Sequence, residues 1–348
     1  MTTFQGRRAA AIENRNLRVT VLQEGGHIAE ILDKTTGINP LWVPPWPSIE
    51  PSKYTPRMHR GLTYGGGSEG KLLAGIMGHN LCLDIFGGPS EEEFAAGVTV
   101  HGEGSVAPYR ISKHDGALVM RARLPLAQID FERRLDLRGR AVRIRETVTN
   151  LAAFDRPIGW TQHVTLGPPF LEKGLTQFRA PATRSKVFET AFGNHDYLRA
   201  GAEFDWPHAP RIDGGATDLR VMTGAPASNA FTTHLMDPAV RDAYFVAFAP
   251  AARLAFGYVW KQADFPWLGI WEENHSRTHK PWSGNTLTRG MEFGVSPMPE
   301  SRRQMIERGR LFGVPAFRWL PAKGRVRADY WAVTARAESI PEKLERPR

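Results

Sequence analysis

Between Leu118 and Thr149 the chain changes character at every second residue. Leu118, Met120, Ala122 and Leu124 alternate with Val119, Arg121 and Arg123, and Ile129, Phe131, Leu135 and Leu137 continue the rhythm. After Arg138-Gly139-Arg140, Val142, Ile144 and Val148 alternate with Arg143, Arg145, Thr147 and Thr149. Successive strand residues point to opposite faces, so a period of two predicts strands with one buried and one wet side, as in an antiparallel sheet. Leu17, Val19 and Val21 repeat the pattern against Arg18 and Thr20, before Gly25-Gly26 turns the chain into residues 27–32. Val326, Ala328, Tyr330 and Ala332 repeat it again after Pro321-Ala-Lys-Gly324. Helical patterning is confined to two short stretches, residues 91–96 and 300–308, the second stopped by Gly309. With 34 Gly and 26 Pro in 348 residues, the chain reads as many short strands separated by turns. The expected fold class is all-β, a large antiparallel sandwich or barrel in one domain spanning residues 1–348.

The net charge of +9 raises the question of a polyanionic partner. Arg133, Arg134, Arg138, Arg140, Arg143 and Arg145 are dispersed along strands instead of forming a basic run, and no zinc-finger or RNA-recognition signature accompanies them, so no nucleic acid is expected. Cys82 is the only cysteine, which excludes an intrachain disulfide and a cysteine-built metal site. The N-terminal residues lack the apolar stretch of a signal peptide, and no segment is long and apolar enough to span a membrane. These features predict a cytoplasmic protein with no membrane partner.

Unusual residues collect between the alternating segments. Pro40-Leu-Trp-Val-Pro-Pro-Trp46-Pro carries two tryptophans, and Trp267, Trp271 and Trp282 follow in Phe265-Pro-Trp-Leu-Gly-Ile-Trp271 and Lys280-Pro-Trp282. An indole offers an apolar face to sugar C–H groups and one N–H donor, although most tryptophans simply fill a core. His101 lies in a Gly-bracketed turn, Val98-Thr-Val-His101-Gly-Glu-Gly104, and His163 ends a strand-like run, Trp160-Thr-Gln-His163-Val-Thr-Leu-Gly. Glu292 stands alone in Arg289-Gly-Met-Glu292-Phe-Gly, with Glu272 and Glu273 as rival carboxylates. His79, His234, His275 and His279 show no metal-ligand spacing, and no metal is expected.

In order and spacing these motifs resemble those of the aldose 1-epimerases and the wider galactose-mutarotase-like group, from about Val19 to Thr334. His101-Gly102, His163, Pro266-Trp-Leu-Gly-Ile-Trp271, Gly290-Met-Glu292 and Leu320-Pro-Ala-Lys-Gly324 stand where that family has its His-Gly turn, strand histidine, Pro-Gly strand, strand glutamate and last turn. The resemblance implies a galactose-mutarotase-like supersandwich that interconverts the anomers of a sugar without a cofactor. Glu292 would be the base and His163 the acid, facing each other across an open cleft about a sugar ring apart. His101 would bind the sugar near its ring oxygen, and Trp271 would line the site. His79-Asn80 or Arg57 would stand for the family's Asn-Arg contact, and Asp237 or Asp242 for its ligand-binding aspartate. The chain departs from the family pattern at Gln162, at Val164-Thr-Leu and at Phe293-Gly294, which implies a divergent pocket and leaves the sugar open, acidic and phosphorylated sugars included. A non-catalytic sugar-binding protein or sensor is the alternative; a lyase or hydrolase on the same scaffold is a lesser one.

Overall fold

The computed structural model describes residues 2–59 and 63–347. Two antiparallel sheets pack face to face. Five strands form the centre of the larger sheet: β1 (His79–Asp84), β2 (Arg156–Leu166), β3 (Ser228–Met236), β4 (Trp267–Asn274) and β5 (Leu287–Gly294), paired in the order β1-β2-β5-β4-β3. Leu17–Leu22 and Ile28–Asp33 extend it beyond β1, and Ala182–Val187 beyond β3, in a sheet of twelve strands. The second sheet has eight strands and contains every alternating segment between Leu118 and Thr149, as well as Arg325–Arg336.

The hairpins close where the sequence supplies turn residues. Asp115 and Gly116 both take positive φ, the conformation a tight two-residue hairpin requires, and join Arg110–His114 to Ala117–Leu124. The two expected helices are present as α1 (Glu91–Ala95) and α2 (Arg302–Arg308). Each opens on a capping box, Ser90 with Glu93 and Ser301 with Gln304.

The eight-stranded sheet has the expected wet face. Most of its arginines project outward, Arg133 excepted, and several pair with acids on adjacent strands, as in Arg121–Glu132 at 2.6 Å, Arg145–Asp136 at 2.7 Å and Arg143–Asp329 at 2.5 Å. That pairing accounts for the dispersal of basic residues; exposed pairs of this kind each contribute little to stability. The central strands of the larger sheet differ from the one-wet-face expectation, because they are buried on both sides. One face meets the second sheet in a core that includes Trp160, Tyr258, Trp260, Phe265, Phe293 and Tyr330. Loops bearing Trp42, Trp46, Tyr54, Tyr64, Leu72 and Trp282 cover the other face. Trp267 and Trp271 are strand residues of β4 on that loop-covered face, not loop residues.

A polar network lies inside the apolar core. Arg133 and Glu146 form a fully buried pair at 2.7 Å, and Glu146 also accepts hydrogen bonds from Trp160 and Gln162. Gln162 in turn accepts from His79 and Tyr330, and the other ring nitrogen of His79 meets the Tyr258 hydroxyl. A buried charge is tolerated only when paired and hydrogen-bonded, and this network satisfies that condition. No helix among the described residues is long and apolar enough to cross a membrane.

Candidate active site

The pleat sorts the central strands into two sets. On β2, Ile158, Trp160, Gln162 and Val164 face the second sheet, so Thr161, His163 and Thr165 face the loops. Register then builds a row across the loop-covered face, with His163 opposite Asn80 on one side and Glu292 on the other, and Glu292 opposite Gly269. Direct cross-strand neighbours have their side chains within reach of each other. His163 Nε2 lies 3.1 Å from Glu292 Oε1.

Glycines around Glu292 give its carboxyl room. A Cβ on Gly290 would lie 2.2 Å from Glu292 Oε1, and one on Gly269 would meet the Phe231 ring at 2.8 Å. The His101 turn is fixed equally tightly. His101 has a φ of +66°, and a Cβ at the following Gly102 would lie 2.2 Å from the Leu83 carbonyl oxygen, so only glycine fits there. The turn is pinned by a hydrogen bond from the His101 amide to Gly87 and by another from the Leu83 amide to His101. Its ring sits with its centroid 4.8 Å from that of His163.

These three residues meet in a cavity of about 200 Å³ walled by Phe86, Phe192, Phe231, Trp271 and Trp282, with Glu69 and Arg277 at its edge. The space is of the size of a small ring and opens to the surface. His101 Nδ1 donates to the Phe86 carbonyl at 2.6 Å, leaving Nε2 as an acceptor, and burial lowers its pKa to about 4. Burial also pushes the Glu292 carboxyl well above the ordinary carboxylate range. It drives the His163 imidazole well below its usual value, with His101 adding to the effect. His163 Nδ1 meets Thr165 Oγ1 at 3.0 Å. The Nε2–Oε1 approach lacks hydrogen-bond alignment, so Glu292 Oε1 is buried without a hydrogen-bond partner. Burial thus favours the uncharged form of each group, a carboxylic acid beside a neutral imidazole.

The separation expected from the sequence differs from this geometry. His163 and Glu292 touch, with no sugar ring between them, because their strands are hydrogen-bonded neighbours in direct register. They share one face of the sheet and one cavity with His101 and Trp271. Asn80 occupies the same row, and its buried Nδ2 has no partner in the protein. His79 points the opposite way, into the core network. Arg57 is exposed on the short helix Pro56–His59, outside the cavity lining. Asp237 caps a turn by accepting from the Ala239 amide, and Asp242 lies 2.8 Å from Arg346; neither lines the cavity.

Of the rival carboxylates, Glu272 bonds Ser228, and Glu273 holds the Ser276-Arg277 turn. Gln162 and Phe293, two departures from the family pattern, face the core and leave the cavity untouched. Sequence reasoning missed Arg277, Phe192 and Phe231, and passed over Trp282 as a general aromatic. Only Trp282 carried a signal, its place in a loop beside other tryptophans. Among the described residues, no group of three or more His, Cys, Asp or Glu side chains is arranged to hold a metal ion.

No protein-family model matches the chain, and no curated protein matches it in sequence. Solved structures do match in fold. A candidate aldose 1-epimerase from Klebsiella pneumoniae superposes with a TM-score of 0.66 at 14% identity, covering 97% of this chain and 82% of the other. A candidate aldose 1-epimerase from Escherichia coli K12 gives 0.62 at 12% identity over 95% and 99% of the two chains. A galactose-mutarotase-related enzyme from Lactobacillus acidophilus gives 0.59 at 12% identity over 96% and 100%. The chain thus has the galactose-mutarotase-like sandwich fold, at low sequence identity to the proteins that share it.

Proposed function

We propose that this chain binds a monosaccharide in the cavity and interconverts its anomers, as an aldose-1-epimerase-like isomerase. The observation that carries this reading is the convergence of Glu292, His163 and His101 in one small aromatic-walled space. Anomer exchange removes the proton of the C1 hydroxyl and delivers one to the ring oxygen. The C1–O5 bond opens, C1 rotates, and the ring recloses on its other face. Because O1 and O5 are both bonded to C1, a touching acid and base can serve both oxygens from one side.

The resting protonation inverts the roles that the family resemblance implies. Glu292 gives its proton to O5 while His163 Nε2 takes the proton from O1, and reclosure returns each proton. His101, through the acceptor at Nε2, orients a sugar hydroxyl. No cofactor enters the cycle.

Polarimetry on freshly dissolved aldoses tests the reading. Wild-type protein should accelerate the approach to anomeric equilibrium. Glu292→Gln and His163→Ala should each slow it by about a hundredfold or more, the scale of general acid–base catalysis, while sugar binding persists. Binding without acceleration by any sugar would leave a sensor or carrier, and no binding at all would remove the sugar reading.

A further inference from the structure

Six of the ten tryptophans separate into two groups by the fate of their indole N–H. Trp46 donates to the Leu73 carbonyl, Trp160 to Glu146, Trp260 to the Phe265 carbonyl and Trp267 to the Pro315 carbonyl. Trp271 and Trp282 are also buried, at 6% and 2% exposure, yet neither Nε1 has a hydrogen-bond partner among the described residues. They are also the two tryptophans that line the cavity. A buried donor without a partner is desolvated without compensation, so a ligand that brings acceptors to these atoms is favoured.

A third donor belongs to the same wall. The Arg277 guanidinium carbon lies 4.7 Å from the Trp282 ring centroid and 5.7 Å from that of Trp271. Glu273 fixes the turn that carries it, accepting from the Ser276 and Arg277 amides and approaching Arg277 Nε at 3.3 Å. No hydrogen bond occupies the terminal nitrogens of Arg277 among the described residues. We propose that Trp271, Trp282 and Arg277 form a donor wall that selects the ligand by its hydroxyl oxygens, beside the Glu292 and His163 pair that acts on it, the Trp271 ring lying 5.8 Å from that of His163. The inference rests on the monosaccharide reading of the cavity. Hydroxyls are favoured over an anionic group because Glu273 already balances the Arg277 charge and Glu69 faces the same space.

Calorimetric titration with D-galactose, D-glucose and D-mannose, their monodeoxy analogues, and the matching uronates and 6-phosphates tests the wall. Trp282→Phe and Trp271→Phe keep an aromatic ring but remove the N–H donor together with part of the indole's volume, so the monodeoxy comparison isolates the hydrogen bond. Each should weaken the preferred sugar about threefold to tenfold, the scale of one neutral hydrogen bond. One monodeoxy analogue should lose as much on wild type and lose nothing further on the matching variant. Unchanged melting temperatures separate this loss from misfolding, and either variant alone suffices if the other does not fold. Full affinity in both variants overturns the wall while leaving the sugar reading standing. Tighter binding of a uronate or phosphate than of its parent sugar overturns the preference for hydroxyls. No binding of any sugar to wild type sinks both readings.

Discussion

At the scale of single residues, the protonation of Glu292 and His163 governs what the cavity can do. Burial raises one group and lowers the other, which favours holding the pair's proton on the carboxyl. Activity should fall at low pH, where His163 takes up a proton below its depressed value, and at high pH, where Glu292 loses its proton above its elevated value. The pH–rate profile should be a broad plateau with an acid limb below the ordinary histidine value of about 6.5. An acid limb at or above pH 6.5 would contradict a buried neutral imidazole as base. Gly290 belongs to this account as well, since any side chain there would occupy the space of the carboxyl.

At the scale of strands, the Arg133–Glu146 pair is where the core is most exposed to damage. Glu146→Gln leaves a buried guanidinium without its counter-charge and should destabilise the fold by about 3–5 kcal/mol, measured as a shift in the denaturant midpoint. Anomer exchange per folded molecule should be unchanged, because Glu146 lies between the sheets and the cavity lies beyond β2. A midpoint shift below 1 kcal/mol would show that the pair is dispensable. The same geometry explains what the sequence made legible. Periodicity located the strands from Leu118 to Thr149 because one face there is wet, and Ser90 and Ser301 marked the two helices by their capping chemistry. His163 and Glu292 were legible as isolated polar residues on apolar strands. That they touch was not, because cross-strand register is a property of the sheet. Nor could the sequence separate His79 from Asn80, adjacent residues that the pleat sends to opposite faces. Arg277 was hidden for a similar reason, since the Glu273 turn that aims it forms only once β4 is in place.

At the scale of the whole molecule, burial of neutral histidines sets the acid limit. His27 and His234 are lowered to about 3 and His101 to about 4, and His79 and His163 also lie well below the usual value. The unfolded chain binds these protons near pH 6.5 and the folded chain does not, so the stability they contribute is present above that pH and is lost as pH falls. The buried carboxyls Glu272 and Glu292, raised by burial, act in the opposite sense and leave a difference of about three protons. At about 1.4 kcal/mol per proton and pH unit, stability should fall by roughly 4 kcal/mol per unit. Against a typical total of about 5–15 kcal/mol, most of the stability should be gone and unfolding under way by roughly pH 4. Circular dichroism across an acid titration checks this, and full native signal at pH 3.5 would exclude it.

The alternation along β2 carries one more consequence. Gln162 belongs to the network between the sheets and His163 to the cavity, so adjacent codons answer to separate selective demands. On the loop-covered face His163 lines the cavity and Thr165 bonds its ring, while Trp160, Gln162 and Val164 belong to the core between the sheets. A library confined to the first set should yield folded proteins with altered ligands. The same diversity placed in the second set should yield few folded proteins, which makes this strand a natural starting point for changing the preferred sugar.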